Sequence, residues 1–198
     1  MIYIIRHGQT EKNKAKLLQG RSDLPLNDAG IREAEAVRDR FLGAGIRFDR
    51  VYTSPLIRAV RTAEIIAGDA SPVIDERLIE MDYGPYEGLD LRDWSQVPEE
   101  VRHFFSDFVR HPAPAGMEPL DEVVRRLGVF LEEIRETAAE ENVLISTHAI
   151  AMKGALEYLT PGSSGSYWSK YIGNCAVYRA AVTGNGYDQP EEWEGTDE

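Results

Sequence analysis

Only one cysteine, Cys175, occurs among the 198 residues. It has no partner for an internal disulfide and cannot build a thiolate-rich metal site, so a reducing, cytoplasmic setting is expected. Long hydrophobic runs are missing as well. The apolar run Ile2 to Ile5 is cut by Arg6, far short of a signal-peptide core or a membrane span, and neither export nor membrane insertion is expected. Basic side chains are scarce, 22 Lys and Arg against 34 Asp and Glu, for a net charge of −12. Such a surface repels a nucleic-acid backbone or an anionic membrane, so neither is expected as a partner. Any anion site must then be a local concentration of Arg, His and backbone N–H groups. The four histidines, His7, His103, His111 and His148, show no His-x-x-x-His spacing, and no metal or other cofactor is expected. No internal repeat or low-complexity linker interrupts the chain.

What is present is a full complement of core material, with 42% hydrophobic and 28% charged residues, enough for one domain. Ile2 to Ile5 and Val143 to Ile145 read as fully apolar strands, the kind covered on both faces in a parallel sheet, and each runs into a histidine. Ile31, Ala34, Val37 and Phe41 repeat at helical spacing behind the N-cap candidate Asn27, predicting a helix from about Asp28 to Leu42. Val51 and Tyr52 form a short strand leading to Ser54-Pro55, which reads as an N-cap with proline at the first helical position. Leu120, Val123, Val124, Leu127, Leu131 and Ile134 make the clearest amphipathic helix. Ala149 to Leu159 reads as helix, and Ala176 to Val182 as a last strand. Strands alternating with helices in this way predict a three-layer α/β/α sandwich with a mostly parallel central sheet. Residues 89–119, with Phe104, Phe105 and Phe108, read as a small helical cap inserted in a single domain spanning 1–183. Residues 184–198 hold six acidic side chains and no Lys or Arg, and are expected to be a solvated tail.

Parallel sheets place their ligand crevice at the carboxyl ends of the strands, which should gather Arg6-His7-Gly8, Ser54 and Thr147-His148. A phosphate monoester needs cations around its oxygens, a nucleophile in line with phosphorus and an acid for the leaving oxygen. Arg6 and Arg58 are permanently charged donors suited to phosphate oxygens. Gly8 would let the backbone approach the anion closely. An imidazole attacks phosphorus when it is neutral and one ring nitrogen is fixed by a hydrogen bond, and His7 at a strand end is suited to that.

Four ordered blocks give these residues their context. Residues 5–30, IRHGQTEKNKAKLLQGRSDLPLNDAG, residues 52–63, YTSPLIRAVRTA, residues 79–88, IEMDYGPYEG, and residues 144–154, LISTHAIAMKG, together resemble the histidine phosphatase superfamily of phosphoglycerate mutase-like proteins, phosphatase branch. The resemblance implies that His7 becomes phosphorylated, that Arg6, Arg58 and His148 hold the phosphate, and that Glu80 is the proton donor. It further places Asn13, Gln19, Gly20 and Arg21 at the phosphate or the pocket rim. Ala149 stands where the family usually has glycine, which bears on the backbone N–H offered there. The activity implied is hydrolysis of a small phosphorylated metabolite. A cofactor-dependent phosphoglycerate mutase is the alternative, and a phosphate-binding module without catalysis a further one. Tyr83, Tyr86, Trp94 and the cap phenylalanines read either as an aromatic pocket or as the cap's own core, with the core favoured. No interface, and hence no oligomeric state, is read from the sequence.

Overall fold

The computed structural model describes residues 1–68, 70–163, 165–184 and 186–195. In chain order its elements are β1 (Ile2–Arg6), α1 (Glu11–Lys14), α2 (Asp28–Gly43), β2 (Arg50–Thr53), α3 (Ile57–Ala67), β3 (Val73–Ile74), α4 (Glu99–Ser106), α5 (Leu120–Glu140), β4 (Val143–Thr147), α6 (Ala149–Leu159), β5 (Val177–Ala180), β6 (Val182–Thr183), β7 (Gly186–Tyr187) and β8 (Glu191–Glu192). Six strands form one sheet in the order β3-β2-β4-β1-β5-β8, and β6 pairs with β7 separately. The pairs β3-β2, β2-β4 and β4-β1 are parallel, and β5 and β8 close the other edge antiparallel. The mixed α/β fold with a mostly parallel sheet is therefore the one that the sequence pattern implies.

The apolar strands follow from burial on both faces. Ile2 and Ile4 of β1 enter one layer with Val143, Leu127, Phe130 and Leu156. Tyr3 and Ile5 enter the other with Leu144, Ala34, Phe41 and Ala63. β1 and β4 run side by side, with Arg6 opposite Thr147, so their C-terminal ends deliver His7 and His148 to the same edge of the sheet. The cap segment carries α4, whose Val101 and Phe104 sink into the larger core, and Phe104 packs on Phe105 and Phe108 at 5.2 and 4.8 Å.

Three expectations need correction. First, α3 starts at Ile57 and not at Pro55, with Leu56 at the N-cap. The first-turn N–H of Ile57 is capped from a distant loop by Asp23 Oδ1 at 2.7 Å. Ser54 Oγ instead lies 2.7 Å from an imidazole nitrogen of His148. Second, the strand expected over 176–182 stops at Ala180, and three more strands follow it. Third, residues 184–198 are not simply a solvated tail. β8 pairs with β5, Glu191 and Glu192 bridge to Arg179 and Lys170, and Trp193 is 3% exposed, stacked on Phe41 at 4.1 Å. Glu191 and Glu192 meet cations supplied from elsewhere in the chain, which the local composition could not reveal; residues 196–198 lie outside the described residues.

Trp193→Ala should consequently destabilise the protein by about 3–5 kcal/mol, as truncation of a buried tryptophan does. A shift in the urea midpoint worth less than about 0.5 kcal/mol, the range of surface substitutions, would restore the solvated-tail description.

Candidate active site

His7 follows β1 directly and is almost wholly buried. Its Nδ1 lies 2.7 Å from the Gly8 carbonyl oxygen, and its Nε2 accepts a hydrogen bond from Arg58 Nε at 3.1 Å. A carbonyl can only accept and a guanidinium only donate. The proton of a neutral His7 must therefore sit on Nδ1, leaving the Nε2 lone pair to accept from Arg58. Burial, with help from Arg58 and Arg6, holds the His7 pKa well below 6.5. His148, 5.1 Å away ring to ring, is pushed down for the same reasons.

Arg58 is fully buried on the first turn of α3. Besides His7 it donates Nη1 to the Ser22 carbonyl at 2.8 Å and Nη2 to the Gly20 carbonyl at 2.6 Å. Two of its five N–H groups remain. Burial lowers its pKa to about 10, which still leaves it charged at neutral pH. Arg6 donates Nη1 to the Ile172 carbonyl at 2.6 Å, while its buried Nε has no partner, and neither does the buried Nδ1 of His148. Several donors thus converge at one sheet edge with spare hydrogen-bonding capacity, an arrangement suited to a tetrahedral anion.

Glu80, buried between the sheet edge and α6, accepts the N–H groups of Met81 and Ala151 on Oε1 and that of Ile150 on Oε2. It occupies the N-terminus of α6, where backbone donors are free to meet an acceptor. Ala149 sits at the first helical position after an extended His148, a conformation that alanine takes without strain.

Packing alone gives Gly8 a reason to be glycine. A Cβ there would come within 2.4 Å of the Gly30 carbonyl oxygen, and its N–H already donates to Thr62 Oγ1 at 3.1 Å. The residue lets the loop after β1 pack backbone to backbone against α2. Gly20 is pinched in the same way by Met81 and Tyr83, and its carbonyl anchors Arg58. Asn13 closes a capping box with Thr10 on α1, and Gln19 Oε1 accepts from Thr10 Oγ1 at 2.6 Å, leaving the buried Gln19 Nε2 unpartnered. Arg21 forms ion pairs with Asp82 and Glu118, and its Nε lies 3.5 Å from the Glu80 carbonyl oxygen.

Sequence reasoning missed two supports. Asn174 Nδ2 donates to the His7 carbonyl at 3.0 Å and to Asn13 Oδ1 at 3.2 Å, bracing the His7 backbone from the far end of the chain. Thr62 links Gly8 to the Arg58 carbonyl. Thr62 stands one helical turn from Arg58, a spacing that could have flagged it, whereas nothing local marks Asn174.

The chain belongs to the histidine phosphatase superfamily, whose branch 1 model matches residues 2–193. A 2,3-bisphosphoglycerate-dependent phosphoglycerate mutase of Methylobacterium sp. is 34% identical over 166 residues, covering 80% of this chain and 80% of the relative. The crystal structure of a phosphoserine phosphatase of Entamoeba histolytica in complex with 3-phosphoglyceric acid is 25% identical, with a TM-score of 0.81 over 98% of this chain and 94% of that one. Bacillus stearothermophilus YhfR is 29% identical with a TM-score of 0.84, covering 95% and 94%. Among the described residues, no helix is long and apolar enough to cross a membrane.

The buried histidines carry a pH dependence. Their folded-state pKa values lie below the unfolded value of about 6.5, so between the two the unfolded chain binds more protons. Stability is then full above about pH 6.5 and is lost as the pH falls through that window towards the folded values. The urea midpoint should fall on acidification from neutrality, and a His7→Gln/His148→Gln double variant should lose most of that slope; an unchanged slope would contradict the assignment.

Proposed function

We propose that the protein is a phosphatase that hydrolyses small phosphate monoesters through a phosphohistidine on His7, with no metal or other cofactor taking part, in the cytoplasm. The observation that carries this is the neutral, buried His7, its proton fixed by the Gly8 carbonyl and its Nε2 lone pair facing Arg58. As Arg58 Nε–H turns from His7 to an oxygen of the incoming phosphate, the freed Nε2 lone pair forms a bond to phosphorus while the ester P–O bond breaks. The remaining N–H groups of Arg58, those of Arg6 and the N–H of Ala149 hold the non-bridging oxygens. His148 joins them through Nδ1–H if Ser54 Oγ–H donates to its Nε2, which the 2.7 Å contact allows. Gln19 Nε2 and Asn13 complete the rim. Glu80 gives its proton to the leaving alcohol, then takes one from the water that cleaves the N–P bond and releases phosphate.

A mutase is the second reading, favoured by the name of the Methylobacterium relative. Retaining the phosphate for a second acceptor calls for a site that excludes water, and of the cap arginines Arg92, Arg102 and Arg110 the first and last are tied to Asp90 and Asp107. Turnover of p-nitrophenyl phosphate with labelled phosphate trapped on His7 is the expected result. Absence of both would leave only a binding module, and conversion of 3-phosphoglycerate outrunning its hydrolysis would make the protein a mutase.

A further inference from the structure

Beside the histidines lies a cavity of about 990 Å³ that shares Arg6, Ala149 and Ile150 with the site. Phe105, Phe108 and Trp168 contribute aromatic rings to its wall. Its charges are mostly positive. Arg6, Arg110, Lys153 and Lys170 line it against the single carboxylate of Asp107, in a chain whose net charge is −12.

The four cations are not equivalent. Arg110 is paired with Asp107, Lys170 with Glu192, and Arg6 belongs to the phosphate end. Lys153 is 8% exposed and donates to the Trp168 carbonyl at 2.8 Å, with the Phe108 ring 5.0 Å away. It forms no ion pair among the described residues. Burying an ammonium without a counter-ion is costly, and methionine or leucine would fill the same space on an apolar helix. One hydrogen bond to a carbonyl leaves two N–H donors, which matches the two oxygens of a carboxylate. A second phosphate would bring two negative charges to one ammonium in a wall of aromatic rings.

Position agrees with charge. Ala149 and Lys153 are one turn apart on α6, about 6 Å along the axis, so an anion at Lys153 sits a few bonds from the reacting phosphate. We propose that Lys153 binds a carboxylate on the substrate's alcohol, whose apolar body lies against Phe105, Phe108 and Trp168. This rests on the phosphatase reading and narrows it to phosphorylated hydroxy acids with a bulky apolar side chain.

The test is a ratio. For the unmodified protein, kcat/KM on 2-(phosphonooxy)-3-phenylpropanoate should exceed that on 2-phenylethyl phosphate by about 10- to 100-fold, the scale of a charge-assisted hydrogen bond. Lys153→Met should bring the ratio close to one, and Lys153→Arg should retain most of it. In the unmodified protein the ratio should also fall as the pH rises through about 8, the value to which burial lowers the lysine. The charged groups around it are Glu80 and Arg6 at the site end and Asp107, Arg110 and Lys170 around the cavity. Equal losses on both compounds would mean that Lys153 only braces the Trp168 segment, overturning the proposal. So would a preference for the bisphosphate of 3-phenylpropane-1,2-diol over the carboxylate. Failure to turn over either ester, or p-nitrophenyl phosphate, would instead sink the phosphatase reading itself.

Discussion

Replacing His7 with alanine should lower kcat on the order of 10⁶-fold, the scale seen when a covalent nucleophile is deleted, and should eliminate the acid-labile phosphoenzyme. The size of the effect follows from the geometry. None of the neighbouring groups can take over, since His148 has one ring nitrogen against Ser54 and Arg58 is a cation held by two carbonyls. The loss must also be separated from misfolding, because the substitution strips a hydrogen-bond partner from both Gly8 and Arg58. Arg6, Arg58 and His148 remain, so the variant should still bind substrate, measurable as protection against urea unfolding. Residual turnover within about tenfold of the unmodified enzyme would place the nucleophile elsewhere.

Glu80→Gln should slow hydrolysis of alkyl phosphates by roughly 10²- to 10⁴-fold, the usual contribution of a positioned general acid. The structure adds a complication. Glu80 accepts three backbone N–H groups, two of them from the first turn of α6, and a glutamine offers only one oxygen to them. An N–H left without its acceptor costs about 1–3 kcal/mol, so part of any rate loss would come from a displaced helix end. Leaving-group dependence distinguishes the two. p-Nitrophenolate departs without a proton, so its ester should suffer far less than an alkyl ester if Glu80 is the acid. Equal losses on both would mean that the residue only fastens α6.

The core of this site was legible because its carriers stand at the ends of apolar strands. β1 and β4 are buried on both faces, which forces an uninterrupted apolar sequence, and the change to Arg6-His7 and to Thr147-His148 marks where each strand leaves the sheet. Contacts between distant segments were not legible. The clash that would meet a Cβ at Gly8 comes from Gly30, and Asn174 reaches His7 across the whole fold. Ser54 looked like the helix cap because serine before proline usually is one, yet its hydroxyl meets His148 and accepts the Leu56 N–H, while Asp23 caps Ile57. The acidic C-terminal segment misled for a similar reason. Glu191 and Glu192 pair with Arg179 and Lys170, and Trp193 found a place on Phe41. Lys153 gave no signal, because a single lysine on an otherwise apolar helix usually lies with its head in water.

The order of the central strands has a consequence for how the protein is made. β1 leaves the ribosome first, but both of its neighbours, β4 and β5, are translated more than 130 residues later. The Asn174 brace on His7 comes equally late. The nascent chain therefore carries His7 through most of translation without the strand pairs and the Asn174 contact that fix its backbone, and the site can be complete only after the segment through β5 has emerged and β1 has been drawn in between its late-coming partners.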